Sequence, residues 1–245
     1  MSDPCLKSIA VVLVEPQQPG NIGMACRAMA NFGATDLRLV NPCPHLHAEA
    51  RKFAVAAHPL LESARLYPDL PSAVADLPVA VAATRRSGRL RAAPMDVTAV
   101  PGLHRAAPRM GLVFGREDAG LTSEEVAACS HAASIRTSPD CPSLNLAQAV
   151  LTFLYELARP AAEATPAAPA ERPPLGEMEQ MFRQMEQVLE RIALLNPARP
   201  GQGTYPLRRL IHRASPDREE VALLRSMWNQ LAWSINDWRG RKRGQ

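Results

Sequence analysis

Aromatic residues are scarce in this sequence: three tryptophans, three tyrosines and five phenylalanines make up 4% of 245 residues. A surface built to stack one nucleobase after another is therefore not expected. Long apolar runs are missing as well, and none reaches the length a bilayer requires. The stretch Met1 to Lys7 is short and leads into an apolar run that fits a strand, so no cleavable leader is expected and the cytoplasm is the expected location. The cysteines, Cys5, Cys26, Cys43, Cys129 and Cys141, contain no C-x-x-C pair. Their odd number and scattered spacing argue against a disulfide framework or a zinc site and for reduced thiols. No two histidines stand at ligand spacing on a helical pattern, and His45 and His47 lie two apart in a loop-like stretch, so no metal is expected. The glycine patterns of the Walker and dinucleotide loops are absent too.

What is present is a chain that is 47% apolar, enough for a buried core, with a formal net charge of +4. That charge permits a nucleic-acid partner without demanding one. The basic residues are clustered. Arg85, Arg86, Arg89 and Arg91 form one group, Arg208, Arg209, His212 and Arg213 a second, and Arg239, Arg241, Lys242 and Arg243 follow at the end. Taken alone, each cluster reads as a solvated face or as a phosphate contact.

Ser8 to Val14 is a valine-rich run typical of a buried parallel strand. Pro16, Pro19 and Gly20 break it, Asn21 is placed to cap a helix over Ile22–Phe32, and Gly33 ends that helix. Further strands are expected at Leu37–Val40, Val79–Ala83 and Gly111–Phe114, and helices around Ala48–Ala57, Ser123–Cys129 and Asn145–Ala158. The alternation predicts an α/β domain on a parallel sheet covered on both faces. Prolines 160, 166, 169, 173 and 174 then mark a semi-extended linker. Beyond it Met178, Met181, Phe182, Met185, Val188, Leu189, Ile192 and Leu195 recur at helical spacing, and this pattern is stopped by Asn196–Pro197 and the glycines near Gly201. A basic turn over Leu207–Arg213 and a last helix from about Ser215, with Pro216 in its first turn, complete the chain. Val221, Leu224, Met227, Trp228, Leu231 and Ile235 form the apolar stripe of that helix. Trp228, Trp233 and Trp238 read as core or dimer packing, and the methionines 178, 181 and 185 as core.

Three segments carry candidate chemistry. Asn21-Ile-Gly-Met-Ala-Cys-Arg27 follows the first strand directly, where a helix N-terminus offers backbone donors; Asn21 and Arg27, six apart, are read as projecting on similar faces. Gly111-Leu-Val-Phe-Gly-Arg-Glu-Asp-Ala-Gly-Leu121 ends a strand and delivers Arg116 and Glu117 into a loop at the strand's C-terminal end, where open α/β sheets bind ligands. Thr122-Ser-Glu-Glu125 is a capping box for the helix after it. Pro142-Ser-Leu-Asn-Leu-Ala-Gln-Ala-Val150 starts a helix that Ser143 or Asn145 is able to cap.

In this order and spacing, over about Ile9 to Leu157, the three segments resemble the signature motifs of the SPOUT superfamily RNA 2′-O-methyltransferases, in the TrmH/SpoU class. The N-I-G…R, V-F-G-R-E-x-x-G-L and S-L-N-L-A patterns are similar to those of the TrmJ-type branch. Leu39-Val-Asn-Pro42, Thr84-Arg-Arg-Ser-Gly-Arg89 and the tail from Pro206 to Ala214 add to the likeness. One departure is Cys141, where that branch commonly has tyrosine.

The resemblance implies an α/β parallel-sheet SPOUT fold with a C-terminal deep trefoil knot, plus a small helical C-terminal extension. It divides the chain into a methyltransferase domain over residues 1–159, a Pro/Ala-rich linker over 160–174, and an extension over 175–245. It implies a homodimer that takes S-adenosyl-L-methionine and acts on tRNA, at nucleotide 32 of the anticodon loop. Its cofactor residues would be Thr84, Arg85, Ser87, Phe114, Gly115, Arg116, Glu117, Ile135, Ser143, Leu144 and Asn145. Arg27 corresponds to the arginine given the catalytic role, with Asn21 and Ser143 positioning it or the ribose. Arg116 and Glu117 are expected to form a local ion pair, with an RNA phosphate as the other partner open to Arg116. Given an RNA substrate, Arg86, Arg89, Arg91, Arg208, Arg209 and Arg213 become phosphate contacts. Two other functions stay open: methylation of ribosomal RNA or of another tRNA position, and RNA binding without catalysis. The basic helical tail favours the tRNA branch, because many ribosomal relatives carry an N-terminal RNA-binding domain for which the first strand, beginning by Ser8, leaves no room.

Overall fold

The valine-rich run is strand β1 (Ile9–Val14), and every residue in it is buried. A strand apolar on both sides needs both faces covered, and this one stands near the middle of its sheet. The computed structural model describes residues 6–85, 93–107, 109–159, 172–195 and 201–235. Arg86, Ser87, Arg89, Arg91, Trp238 and most of the proline-rich stretch lie outside the described residues, as do Arg239, Arg241, Lys242 and Arg243.

Strands β2 (Asp36–Val40), β3 (Arg65–Tyr67), β4 (Val79–Ala83), β5 (Met95–Asp96), β6 (Met110–Phe114) and β7 (His131–Ser134) complete a seven-stranded sheet of order β3-β2-β1-β6-β4-β7-β5. All its pairings are parallel. On one face Val11, Leu13, Leu39, Val81 and Leu112 pack under α1 (Pro19–Asn31), α2 (Ala48–Ala54), α3 (His58–Glu62), α5 (Val100–Ala106) and α7 (Leu146–Ala158). On the other, Val12, Val14, Ala80 and Val113 meet α4 (Leu70–Val74), α6 (Ser123–Ala128) and Leu175 at the start of α8 (Leu175–Arg191). Helices α9 (Gly201–Ala214) and α10 (Arg218–Ser234) close a separate cluster with α8, built on Met178, Met181, Phe182, Met185 and Leu189.

The charged groups of the sheet gather at the strands' N-terminal ends. Arg38 is fully buried and holds Asp36, Asp76 and the Ala73 carbonyl at once, while Arg65 and Arg109 reach the same two carboxylates. Burial works against Asp36, but the hydrogen bonds and charges of Arg38 and Arg65 outweigh it and hold its carboxyl below the usual range. Asp76 is likewise held low, chiefly by its bond from Arg38.

Several expectations need correction. Asn21 sits inside α1, which begins at Pro19, so it is not the cap. The basic turn over Leu207–Arg213 is the second half of helix α9, which starts at Gly201 and carries Pro206 within it. The last helix begins at Arg218, with Asp217 as its cap and Glu220 closing a capping box. Its apolar stripe is only partly covered: Val221 is buried, whereas Met227 and Leu231 are 42% and 39% exposed; Trp233, outside the stripe, is 75% exposed and is not a core residue of this chain. Strands β3, β5 and β7 are too short or too mixed to show a period in the sequence.

Candidate active site

The C-terminal ends of the strands converge on a cavity of about 250 Å³. Its walls are the loop after β4 (Thr84, Arg85), the loop after β6 (Gly115 to Leu121), the segment after β7 (Ile135, Thr137), and the start of α7 (Pro142, Ser143, Leu144). Phe114 and Phe153 meet edge to face beneath it, ring centroids 5.4 Å apart, and give it an apolar floor.

Helix α1 is entered without a side-chain cap of its own. The carboxylate of Glu117, about a hundred residues away in sequence, does that work. It accepts from the backbone amides of Gln17 at 2.9 Å and Gln18 at 3.2 Å, and from Asn21 Nδ2 at 2.8 Å. A carboxylate opposite a helix N-terminus is favoured by the helix dipole as well as by the amides. An ionised carboxylate only accepts, so the amide of Asn21 is fixed with its nitrogen toward Glu117. Its oxygen then accepts from Asn145 Nδ2 at 2.8 Å. Asn145 in turn caps α7, taking the amides of Ala147 at 2.9 Å and Gln148 at 3.4 Å, with Gln148 Oε1 returning to the Asn145 amide. One continuous chain of polar contacts therefore joins the three sequence segments.

Arg116 is held apart from Glu117. It binds Glu15 at the end of β1 (Nε to Oε2, 2.8 Å) and both oxygens of Glu125 at 3.0 Å. The expected Arg116–Glu117 pair is thus replaced by two separate arrangements, and Arg116 is a clamp across the loop whose proton these partners hold more firmly. The same Glu125 serves the capping box of α6 with Thr122. Gly115 must be glycine here: an added Cβ would lie 2.3 Å from the Gly120 carbonyl carbon, where the chain doubles back on itself.

Of the expected cofactor residues, Thr84, Arg85, Phe114, Gly115, Arg116, Glu117, Ile135, Ser143 and Leu144 line the cavity; Asn145 does not line it and bonds Asn21 instead, and Ser87 lies outside the described residues. Ser143 is exposed and its hydroxyl has no partner among the described residues. Arg27 is not brought to the cavity. Six helical residues turn the chain by 600°, about 120° short of two full turns, so buried Asn21 and exposed Arg27 face different ways. No described residue pairs with Arg27. The irregular segment 135–142 also lines the site; Thr137 Oγ1 donates to the Pro142 carbonyl at 3.1 Å and folds it back. Nothing periodic in that stretch announces it.

The basic residues of the extension divide. Arg208 is half-buried between Glu179 and Glu186, with its guanidinium 4.6 Å from the centre of the Phe182 ring, so it holds α9 to α8. Arg209 and Arg213 are exposed and unpaired among the described residues.

Residues 8–155 match the model of the SpoU rRNA Methylase family. The chain belongs to that family. Residues 176–241 match a second model, described as the tRNA methyltransferase TrmJ, C-terminal domain. A relative from Klebsiella pneumoniae, a tRNA (cytidine/uridine-2′-O-)-methyltransferase TrmJ, is 36% identical over 235 residues, which cover 91% of this chain and 95% of the relative. Among solved structures, TrmJ from Z. mobilis superposes with a TM-score of 0.79 at 33% identity, over 91% of this chain and 98% of that one. A structure described as giving insights into the 2-OH methylation of C/U34 on tRNA aligns with a TM-score of 0.50 at 25% identity, over 61% of this chain and 93% of the other. The family match makes the chain an RNA 2′-O-methyltransferase by descent, and the all-parallel sheet with its helical extension is the fold of these neighbours. No helix among the described residues is long and apolar enough to cross a membrane.

Proposed function

We propose that the protein methylates the ribose 2′-hydroxyl of a cytidine or uridine in tRNA, at nucleotide 32 of the anticodon loop, with S-adenosyl-L-methionine as donor. The observation that carries this is the polar chain Glu117–Asn21–Asn145, which ties the three family motifs around one cavity. The relatives' substrate, the match of the C-terminal helices and the cationic face of α9 support tRNA over ribosomal RNA.

The cavity suits an adenosyl ligand: Phe114, Ile135, Leu144 and Phe153 give apolar surface for a purine, and irregular backbone at 84–85, 115–119 and 135–144 gives polar groups around it. When bound, the donor supplies a methyl group on a sulfonium centre. The remaining work falls to side chains. A ribose hydroxyl is a weak nucleophile until its proton is drawn away. A guanidinium keeps its own proton far above neutral pH, so Arg27 orients the hydroxyl and stabilises developing negative charge, and the hydroxyl proton passes to a phosphate oxygen of the substrate. Ser143 and Asn21 position the ribose, and Glu117 holds Asn21.

Because Arg27 faces away from its own cavity, this mechanism takes Arg27 from a second copy. On the helix packed beside α1, Leu151 and Tyr155 are 41% and 56% exposed, and Phe32 at the α1 end packs against the Tyr155 ring. An exposed apolar strip on one helix and an unpaired arginine on its neighbour fit a homodimer face. The reading keeps residues 1–159 as the catalytic domain with its trefoil knot, 160–174 as linker, and 175–245 as the extension that holds RNA through Arg209 and Arg213. It places the enzyme in the cytoplasm.

The test is mapping of ribose methylation on tRNA transcripts incubated with the protein and labelled donor. Label at nucleotide 32 is expected. Label at 34 alone would move the target, and label in ribosomal RNA only would overturn the reading.

A further inference from the structure

A second cavity of about 480 Å³ lies between the methyltransferase sheet and the extension. One wall is α6 and the first part of β7, with Val126, Ala127 and His131; the other is a single face of α9, with Tyr205, Arg209 and Arg213 four residues apart. It is distinct from the first cavity, yet both draw on β7: one takes Cys129 to Ala132, the other Ala133 to Ile135. The two linings adjoin at Ala132 and Ala133, successive residues of that strand.

Its lining combines cations, neutral donors and acceptors, and apolar surface. Arg209 and Arg213 stand exposed at the mouth without a described partner. Deeper in, His212 is 8% exposed, its ring edge-on to Phe182 at 5.2 Å, and neither ring nitrogen bonds to a described residue. His131 contacts Ser130 Oγ through Nδ1 at 2.9 Å. That hydroxyl already gives its proton to the Ala80 carbonyl, so Nδ1 must be the donor and Nε2 is left as a bare acceptor. Burial pushes His131 down to about 4 and His212 to about 3, so both are neutral near pH 7 and offer hydrogen bonds without charge. Tyr205, Met95 and Val126 supply flat or pliant apolar surface. Scarce aromatics exclude a stacking platform, but one slot needs only one ring.

We infer that this cavity is a second RNA subsite that takes one unpaired nucleotide of the substrate, its base between Tyr205 and the α6–β7 wall and its phosphates on Arg209 and Arg213. The inference rests on the reading of the protein as an enzyme acting on RNA and names a part of the substrate's path. Cations on an exposed helix face fit the repeating phosphates of a chain, and the partly apolar interior fits a base removed from its stack. A free anion alone would leave the interior unexplained.

The test uses the full-length protein. The double variant Arg209→Ala/Arg213→Ala removes the cations, and Ala127→Trp fills the slot. For the filled variant the KM for tRNA should rise roughly tenfold with kcat little changed, and donor affinity should match the parent. For the double variant the slope of log affinity against log salt should flatten by about 1.4, as for two phosphates of single-stranded RNA. RNA carrying 4-thiouridine in the anticodon loop, irradiated on the unmodified protein, should crosslink to peptides containing Tyr205 or Met95, so the outcome does not depend on how well a variant folds. Crosslinks confined to other peptides overturn the inference, as does an unchanged KM in Ala127→Trp. Competition of the crosslink by inorganic phosphate with no base dependence would leave only an anion site and also overturn it. A parent protein that methylates no tRNA refutes the function reading instead, and crosslinking to the RNA it does bind still decides the subsite.

Discussion

Glu117 and Arg27 make opposite kinds of contribution, and single substitutions should separate them. Glu117→Ala leaves two backbone amides and Asn21 Nδ2 without their acceptor. It should cost about 1–3 kcal/mol in urea denaturation and, by freeing Asn21, abolish most donor binding in calorimetry. Arg27→Ala touches no described partner. Its stability should stay within about 0.5 kcal/mol of the parent, while methyl transfer falls by roughly a hundredfold or more; a parental rate would remove Arg27 from the mechanism. The sequence named all of these residues, because motif patterns preserve identity and order. It did not name their partners. Glu117 reads as the neighbour of Arg116, yet β6 ends so that the two side chains diverge, one to Glu15 and Glu125, the other to α1. Likewise the spacing of Asn21 and Arg27 looks like near-register until the helical angle is counted.

Helices α1 and α2 approach closely at a glycine. A Cβ on Gly23 would stand 2.1 Å from the Ala50 carbonyl oxygen, a backbone atom that cannot give way. Gly23→Ala should therefore force the helices apart at a cost of about 1–3 kcal/mol or more, read as a lowered urea midpoint, and should weaken donor binding because α1 carries Asn21. The docking of α9 is sensitive to acid. His212 has a folded pKa of about 3, well below the unfolded value of about 6.5. Its contribution is complete above about pH 6.5 and is lost as pH falls from there toward 3. Urea denaturation at pH 7, 6 and 5 should show stability falling, with His212→Phe flattening that slope by up to about 1.4 kcal/mol per pH unit. Asp36 and Asp76 are depressed as well, but from a lower start, so the Arg38 network holds until the pH drops below about 4. The long buried strands and amphipathic helices were legible because their apolar spacing is strong. Helix α9 was not, since glycines and Pro206 obscure its period, and only contact with α6 and α8 settles it.

At the level of the whole molecule, the exposed strip of Leu151 and Tyr155 predicts self-association. Leu151→Glu/Tyr155→Glu should shift the protein from dimer to monomer in sedimentation and lose methyl transfer, since Arg27 would no longer reach a cavity; an active monomer would show that the site is complete within one chain. The strand order has a consequence for how the chain comes off the ribosome. β6 lies between β1 and β4, so the first strand finds its central neighbour only after residue 110 has been made. Until then β1 and β4 have no strand between them, and at about 5–20 residues per second that interval lasts several seconds. Nascent chains arrested before Met110 should be protease-sensitive throughout and should attract holding chaperones, whereas chains extended past α7 should gain protection in a single step.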